Sequence, residues 1–157
     1  MTGNAEIAIR LGAAVLVGSA LGLNRELHGK PAGLRTHGLV SLGAALATMV
    51  AFRSPDSSLT IDPNAIGRIV QGILTGIGFL GAGVILHDKD GHVAGLTTAA
   101  TIWICAALGI VCGLGYWLIL LIASGMTLLI LSVGKMIEQW AMRHFKRKGS
   151  EPSDRSV

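Results

Sequence analysis

Residues 65–86, AIGRIVQGILTGIGFLGAGVIL, hold a single charge, Arg68, in 22 positions. Two readings compete for this stretch. Gly76, Gly78 and Gly81 satisfy GxGxxG, the turn that cradles a dinucleotide's pyrophosphate, but that turn must lie between a soluble strand and a helix. A bilayer core needs about 20 residues of predominantly apolar helix. The segment supplies that length, so the glycines fall inside a membrane span and the nucleotide reading loses its context.

Reading outward, four further stretches meet the same length criterion: 6–24, 35–52, 94–113 and 116–138. The first lacks the cationic start and small-residue cleavage site of a signal peptide, and Glu6 and Arg10 interrupt it, so it reads as a retained span. The breaks carry turn chemistry: GKPAG at 29–33, SPDSS at 54–58, DPN at 62–64, DKDGH at 88–92 and CGLG at 112–115. Pro63 is suited to a first helical turn. Composition agrees. Of 157 residues, 51% are hydrophobic and 14% charged, against roughly 25% charged in a soluble domain, and mean hydropathy is +0.61. The expected fold is all-α, a polytopic transmembrane bundle of about five helices over residues 1–138, followed by a basic polar tail at 139–157.

Orientation follows from the basic residues, which are retained on the cytoplasmic side. With five spans, one side holds Arg25, Lys30, Arg35, Lys89, Lys135, Arg143, Lys146, Arg147, Lys148 and Arg155, and the other holds Arg10, Arg53 and Arg68. This ten-to-three split predicts an external N-terminus and a cytoplasmic C-terminus. The tail accounts for most of the net charge of +4 and suits anionic head groups of the bilayer. It gives no reason to expect nucleic-acid binding.

Several motifs look like chemistry. His87, Asp88, Asp90 and His92 resemble the opening of a calcium loop, yet the twelfth position, a bidentate Glu in such loops, is Ala99. A solvated hairpin turn is the better reading, with weak divalent-cation binding as the alternative. Cys105 and Cys112 lie seven apart, roughly 10 Å along a helix, beyond disulfide reach, and read as buried thiols. No catalytic signature is present, so an enzyme is not expected. GxxxG spacing, which lets helix backbones approach in lipid, recurs at Gly18 and Gly22, at Gly72 and Gly76, and at Gly109 and Gly113.

Ionisable and polar groups within spans call for a role. The connector GLNRELHGKPAGLRTH at 22–37 packs Arg25, Glu26, Arg35, Thr36 and His37 together. Arg68, Gln71 and Thr75 share one helical face, and Thr97, Thr98 and Thr101 open the fourth span. Small or polar stripes also run along Ala14, Gly18, Gly22 and Arg25, and along His37, Ser41, Ala44 and Thr48. The joint expectation is a common polar interior, with Glu26 paired to Arg25 or Arg35 and with Leu, Ile and Val left to lipid. The simpler alternative has the basic residues reaching to head groups and the threonines bonding their own helices.

GLNRELHGKPAGLRTHGLVSLGAAL at 22–46, RIVQGILTGIGFLGAGVI at 68–85 and GLTTAATIW at 95–103 closely resemble the MgtC/SapB family of bacterial membrane proteins. The resemblance covers most of residues 7–135. It implies about five helices in the cytoplasmic membrane and a link to growth at low magnesium, with Mg²⁺ as signal or ligand rather than cofactor. The partner it implies is the F-type ATP synthase. Shared positions carried over by motif are Arg25, Glu26, Gly33, Leu34, Arg35 and Thr36. In the second block they are Arg68, Gln71, Gly72, Gly76, Gly78, Gly81 and Gly83, and in the third Gly95, Thr98, Ala99, Ala100 and Trp103. Asn24 stands where many relatives have Glu, and longer relatives carry a soluble C-terminal domain.

Two functions fit these residues. One is a non-enzymatic membrane regulator that packs against other membrane subunits, or against a second copy in a homo-oligomer, through its small-residue faces. The other is a channel or carrier with a route lined by Arg25, Glu26, Arg35, Arg68, Gln71 and Thr98. A cationic lining suits Mg²⁺ poorly, since that ion sheds water reluctantly and binds through carboxylates.

Overall fold

A computed structural model describes residues 3–51, 63–87 and 93–148. Five helices account for most of them: α1 (Asn4–Leu27), α2 (Leu34–Ala51), α3 (Pro63–Gly83), α4 (Leu96–Leu114) and α5 (Trp117–Lys148). Each is long and apolar enough to cross a membrane. The fold is all-α, and the expected spans are present with shifted ends. Between α3 and α4, β1 (Leu86–His87) pairs antiparallel with β2 (Val93–Ala94). The third span therefore stops at Gly83 instead of running to 86, and the fourth starts at Leu96 instead of 94.

Backbone conformation explains these limits. Gly95 adopts φ +90°, and a Cβ there would collide with the Val84 carbonyl oxygen, so the chain cannot be helical before Leu96. Gly115 ends α4 in the left-handed region, with its N–H to the Cys112 carbonyl at 3.0 Å and Tyr116 N–H to Val111 at 3.2 Å. This paired arrangement satisfies carbonyls that the helix itself leaves open. Within the CGLG string only Gly115 breaks the helix; Cys112, Gly113 and Leu114 remain in it. Cys105 and Cys112 are buried, free thiols.

The chain divides into two compact units at Ser124. In the first, α2 packs against both α1 and α4, and α3 leans on α4 and α2. Contact with α2 is made through glycine. A Cβ on Gly18 would lie 2.5 Å from the His37 carbonyl oxygen, and one on Gly22 would lie 2.5 Å from that of Gly33. On the other side, Gly109 abuts the Ser41 carbonyl, and a Cβ on Gly113 would lie 2.8 Å from that of Ala45. Such backbone proximity is what drives helix association in lipid, where burial of aliphatic groups alone gains little. Along α5, Leu118, Leu121, Ile122, Leu129 and Ile130 are exposed, as suits a lipid-facing surface.

Arg10 ties α1 to the end of α4. Its Nη1 donates to the Gly113 carbonyl at 2.7 Å and its Nη2 pairs with Glu6. A cation at a helix C-terminus offsets the unsatisfied carbonyls there. Arg10→Ala is expected to cost about 1–2 kcal/mol, read as a lower unfolding midpoint in detergent. An unchanged midpoint would mean that Arg10 does not secure α4.

Candidate functional site

The first unit encloses a seam of polar side chains between α1, α2 and α4. Arg25 is 6% exposed although it lies in the last turn of α1, and its Nη2 donates to Thr98 Oγ1 at 2.5 Å. Thr101 Oγ1 donates to the Thr98 carbonyl at 2.9 Å. Deeper in the seam, His37 is fully buried and its Nδ1 meets the Gly33 carbonyl at 3.0 Å. Only an N–H can make that bond, so in the neutral ring Nε2 is the bare, accepting nitrogen. Cys105 Sγ donates to the His37 carbonyl at 3.1 Å, and Thr48 Oγ1 to that of Ala44 at 2.7 Å. Arg25 Nε, His37 Nε2 and Ser41 Oγ are buried with no hydrogen-bond partner.

Helical spacing places these groups. Ala14, Gly18, Gly22 and Arg25 form the buried stripe of α1, and His37, Ser41, Ala44 and Thr48 that of α2. Thr98, Thr101 and Cys105 recur at helical intervals on the buried face of α4. Ser41, Thr48 and Thr101, which the sequence already sets on these faces, are buried here, and Cys105, read from the sequence only as a buried thiol, joins the site; its place on the face of Thr98 and Thr101 is the sequence signal that marks it.

Of the polar candidates in the connector and the third and fourth spans, the structure brings Arg25, His37, Thr98 and Thr101 into one seam. Glu26 pairs with neither Arg25 nor Arg35. Its Oε2 accepts the Leu34 N–H at 3.0 Å and so caps α2, and Gly33 leaves room for it, since a Cβ there would lie 2.5 Å from Glu26 Oε2. The free N–H groups and dipole of a helix N-terminus favour a carboxylate in that place. Arg35, Thr36 and Thr97 are exposed.

The third helix departs furthest from expectation. Arg68, Gln71 and Thr75 are exposed rather than turned into the shared interior. The aliphatic residues claim that side: Val70, Ile73, Leu74 and Ile77 pack on Ala44, Ala106 and Ile110 of α2 and α4. A Cβ at Gly72, Gly76, Gly78 or Gly83 would meet nothing within 4 Å, so these glycines make no close helix contact among the described residues, whereas one at Gly81 would touch Ala99. Gly72 and Gly76 line an open groove of about 380 Å³ between α2 and α3. The outward face of α3 therefore sets polar and small residues beside the exposed Phe79 and Leu80, and its polar groups stand where a purely lipid-facing surface would be apolar.

Among the described residues no three His, Cys, Asp or Glu side chains converge. Asp88, Asp90 and His92 lie outside the described residues, and His87 is described only by its backbone in β1.

The MgtC family model matches residues 11–140. The chain is 46% identical over 150 residues to protein SrpB of Synechococcus elongatus, an alignment covering 90% of this chain and 82% of SrpB. It is 43% identical over 131 residues to YhiD of Escherichia coli, provisionally named a magnesium transporter, with 82% of this chain and 60% of YhiD covered. Against protein MgtC of Salmonella typhimurium the identity is 42% over 135 residues, covering 86% of this chain and 54% of MgtC. The chain thus spans most of SrpB but little more than half of YhiD and MgtC. No solved structure matches it.

Proposed function

Since this chain belongs to the MgtC family, we propose that it is a non-enzymatic, multi-pass protein of the bacterial cytoplasmic membrane, with an external N-terminus, that serves adaptation to low magnesium. The provisional naming of its relative YhiD as a magnesium transporter supports the link to magnesium. It acts by docking the outward face of α3 on a helix of another membrane protein. The observation that carries this reading is the inverted polarity of α3, with Arg68, Gln71 and Thr75 outside and Val70, Ile73 and Ile77 inside. Left against acyl chains, those polar groups would lack partners at a cost of several kcal/mol each. A second helix would cover them and approach closely over Gly72 and Gly76. The membrane sector of the F-type ATP synthase is the partner the family resemblance names, and a second copy of this chain is the other.

Mg²⁺ enters as a signal. The seam does not suit it as a ligand, because its charged group is the Arg25 guanidinium and its other donors are hydroxyls, a thiol and a ring nitrogen, where Mg²⁺ takes carboxylates. Gly72→Leu and Gly76→Leu are expected to cut capture of partners at least tenfold and to remove the low-magnesium growth phenotype, with folded yield unchanged because a Cβ at either site would meet no described atom within 4 Å. Retention of every partner and of the phenotype would end this mechanism.

A transport reading draws on the unpartnered polar atoms of Arg25, His37 and Ser41. Reconstituted protein in liposomes separates the two, since an ion flux that disappears in Arg25→Gln would favour transport and overturn the docking mechanism.

A further inference from the structure

We propose that the crevice between α1 and α2 is a binding site for an anionic phospholipid, with the phosphate held at the α1–α2 connector and one acyl chain laid along the helices. The upper part is a cleft of about 550 Å³ bordered by Lys30, Arg35, Thr36 and Glu26. The Glu26 carboxylate is already committed to the Leu34 N–H. Lys30 and Arg35 have no ion-pair partner among the described residues, so the cleft offers two free cations and a hydroxyl donor. Its neighbour is a groove of about 340 Å³ lined by Val15, Ser19, Gly38, Leu39 and Leu42, and the two share Leu34 and Arg35. Together they follow one stripe of α1, from Glu26 through Leu23 and Ser19 to Val15, about 16 Å at 1.5 Å per residue.

Chemistry changes along this path in the way that a phospholipid does. The cationic end lies at the helix termini, at head-group depth, where basic pockets bind anionic lipid. The apolar end lies within the spans. Arg35 sits at the junction, where its guanidinium can make paired bonds to phosphate oxygens while its stem lies over the apolar groove. A soluble phosphate would use the cleft alone and leave the groove without a role. The groove's depth within the membrane therefore favours the lipid.

The test is lipid retention by the full chain, purified in detergent, exchanged against mixed vesicles of phosphatidylglycerol and phosphatidylcholine, and read by native mass spectrometry. One phosphatidylglycerol is expected to stay bound in preference to phosphatidylcholine. Lys30→Ala with Arg35→Gln should reduce that retention roughly tenfold or more, and both positions are exposed, so folding is preserved. Val15→Trp, which fills the groove from another exposed position, should reduce it as well, while millimolar inorganic phosphate should not compete. Equal retention of the two lipids, displacement by inorganic phosphate, or indifference to either variant would each overturn the proposal. Partner capture through α3 is scored separately with Gly76→Leu, so failure here is distinguishable from failure of the docking reading.

Discussion

Gly109→Leu is expected to abolish the folded first unit, with a loss of more than about 3 kcal/mol, measured as the absence of a monodisperse species and of a cooperative thermal transition in detergent. A Cβ at Gly109 meets the Ser41 carbonyl and lies 2.9 Å from Ala44 Cβ. Neither neighbour is the tip of a flexible side chain, so α4 has to move away from α2. In a soluble core the added leucine would recover part of that loss by leaving water. In a bilayer it gains almost nothing, because acyl chains are as apolar as leucine. Gly76→Leu, four residues into an equivalent pattern on α3 but with an open Cβ direction, should leave the transition in place. If the two variants unfold alike, the difference drawn between the faces of α4 and α3 is wrong.

Opposite ends of the Arg25–Thr98 hydrogen bond should give opposite results. Arg25→Met removes a buried cation that has no carboxylate beside it among the described residues and replaces it with an apolar chain of similar length. Stability is expected to stay level or to rise by about 1–3 kcal/mol, and partner capture through α3 is expected to be retained. Thr98→Val keeps the cation and removes its acceptor, 2.5 Å away, and is expected to cost about 2–3 kcal/mol. Thermal unfolding of both variants in one detergent, beside partner capture, reads all three outcomes. Destabilisation of Arg25→Met by more than Thr98→Val would show that the guanidinium holds the seam together, contrary to the cost assigned to it.

Much of this architecture is legible in the sequence because bilayer thickness imposes a length that few other constraints mimic. Residues 65–86 reach that length despite their dinucleotide-like glycines, and α3 occupies Pro63–Gly83. The stripes on α1 and α2 are equally readable, since periodicity identifies which residues share a face, and Gly18, Gly22, Arg25, His37 and Ser41 are all buried. Periodicity is silent on what a face meets. Arg68, Gln71 and Thr75 form one face in the sequence and in the structure, but that face points away from the bundle because Ile73 and Ile77 on the opposite side fit Ala44 and Ala106. Glu26 shows another limit. Local charge counting pairs it with an arginine, whereas the fold brings the N-terminus of α2 within its reach.

The enclosure of α2 by glycines from both sides has a consequence for biogenesis. Leaving the ribosome, α2 can pair at once with α1, but the helix that covers its other flank is α4, which emerges only after α3. At about 5–20 residues per second, His37, Ser41 and Thr48 wait several seconds without their final neighbours. A transcript truncated before α4 would strand those groups against acyl chains, and its product should be an early substrate for membrane proteolysis.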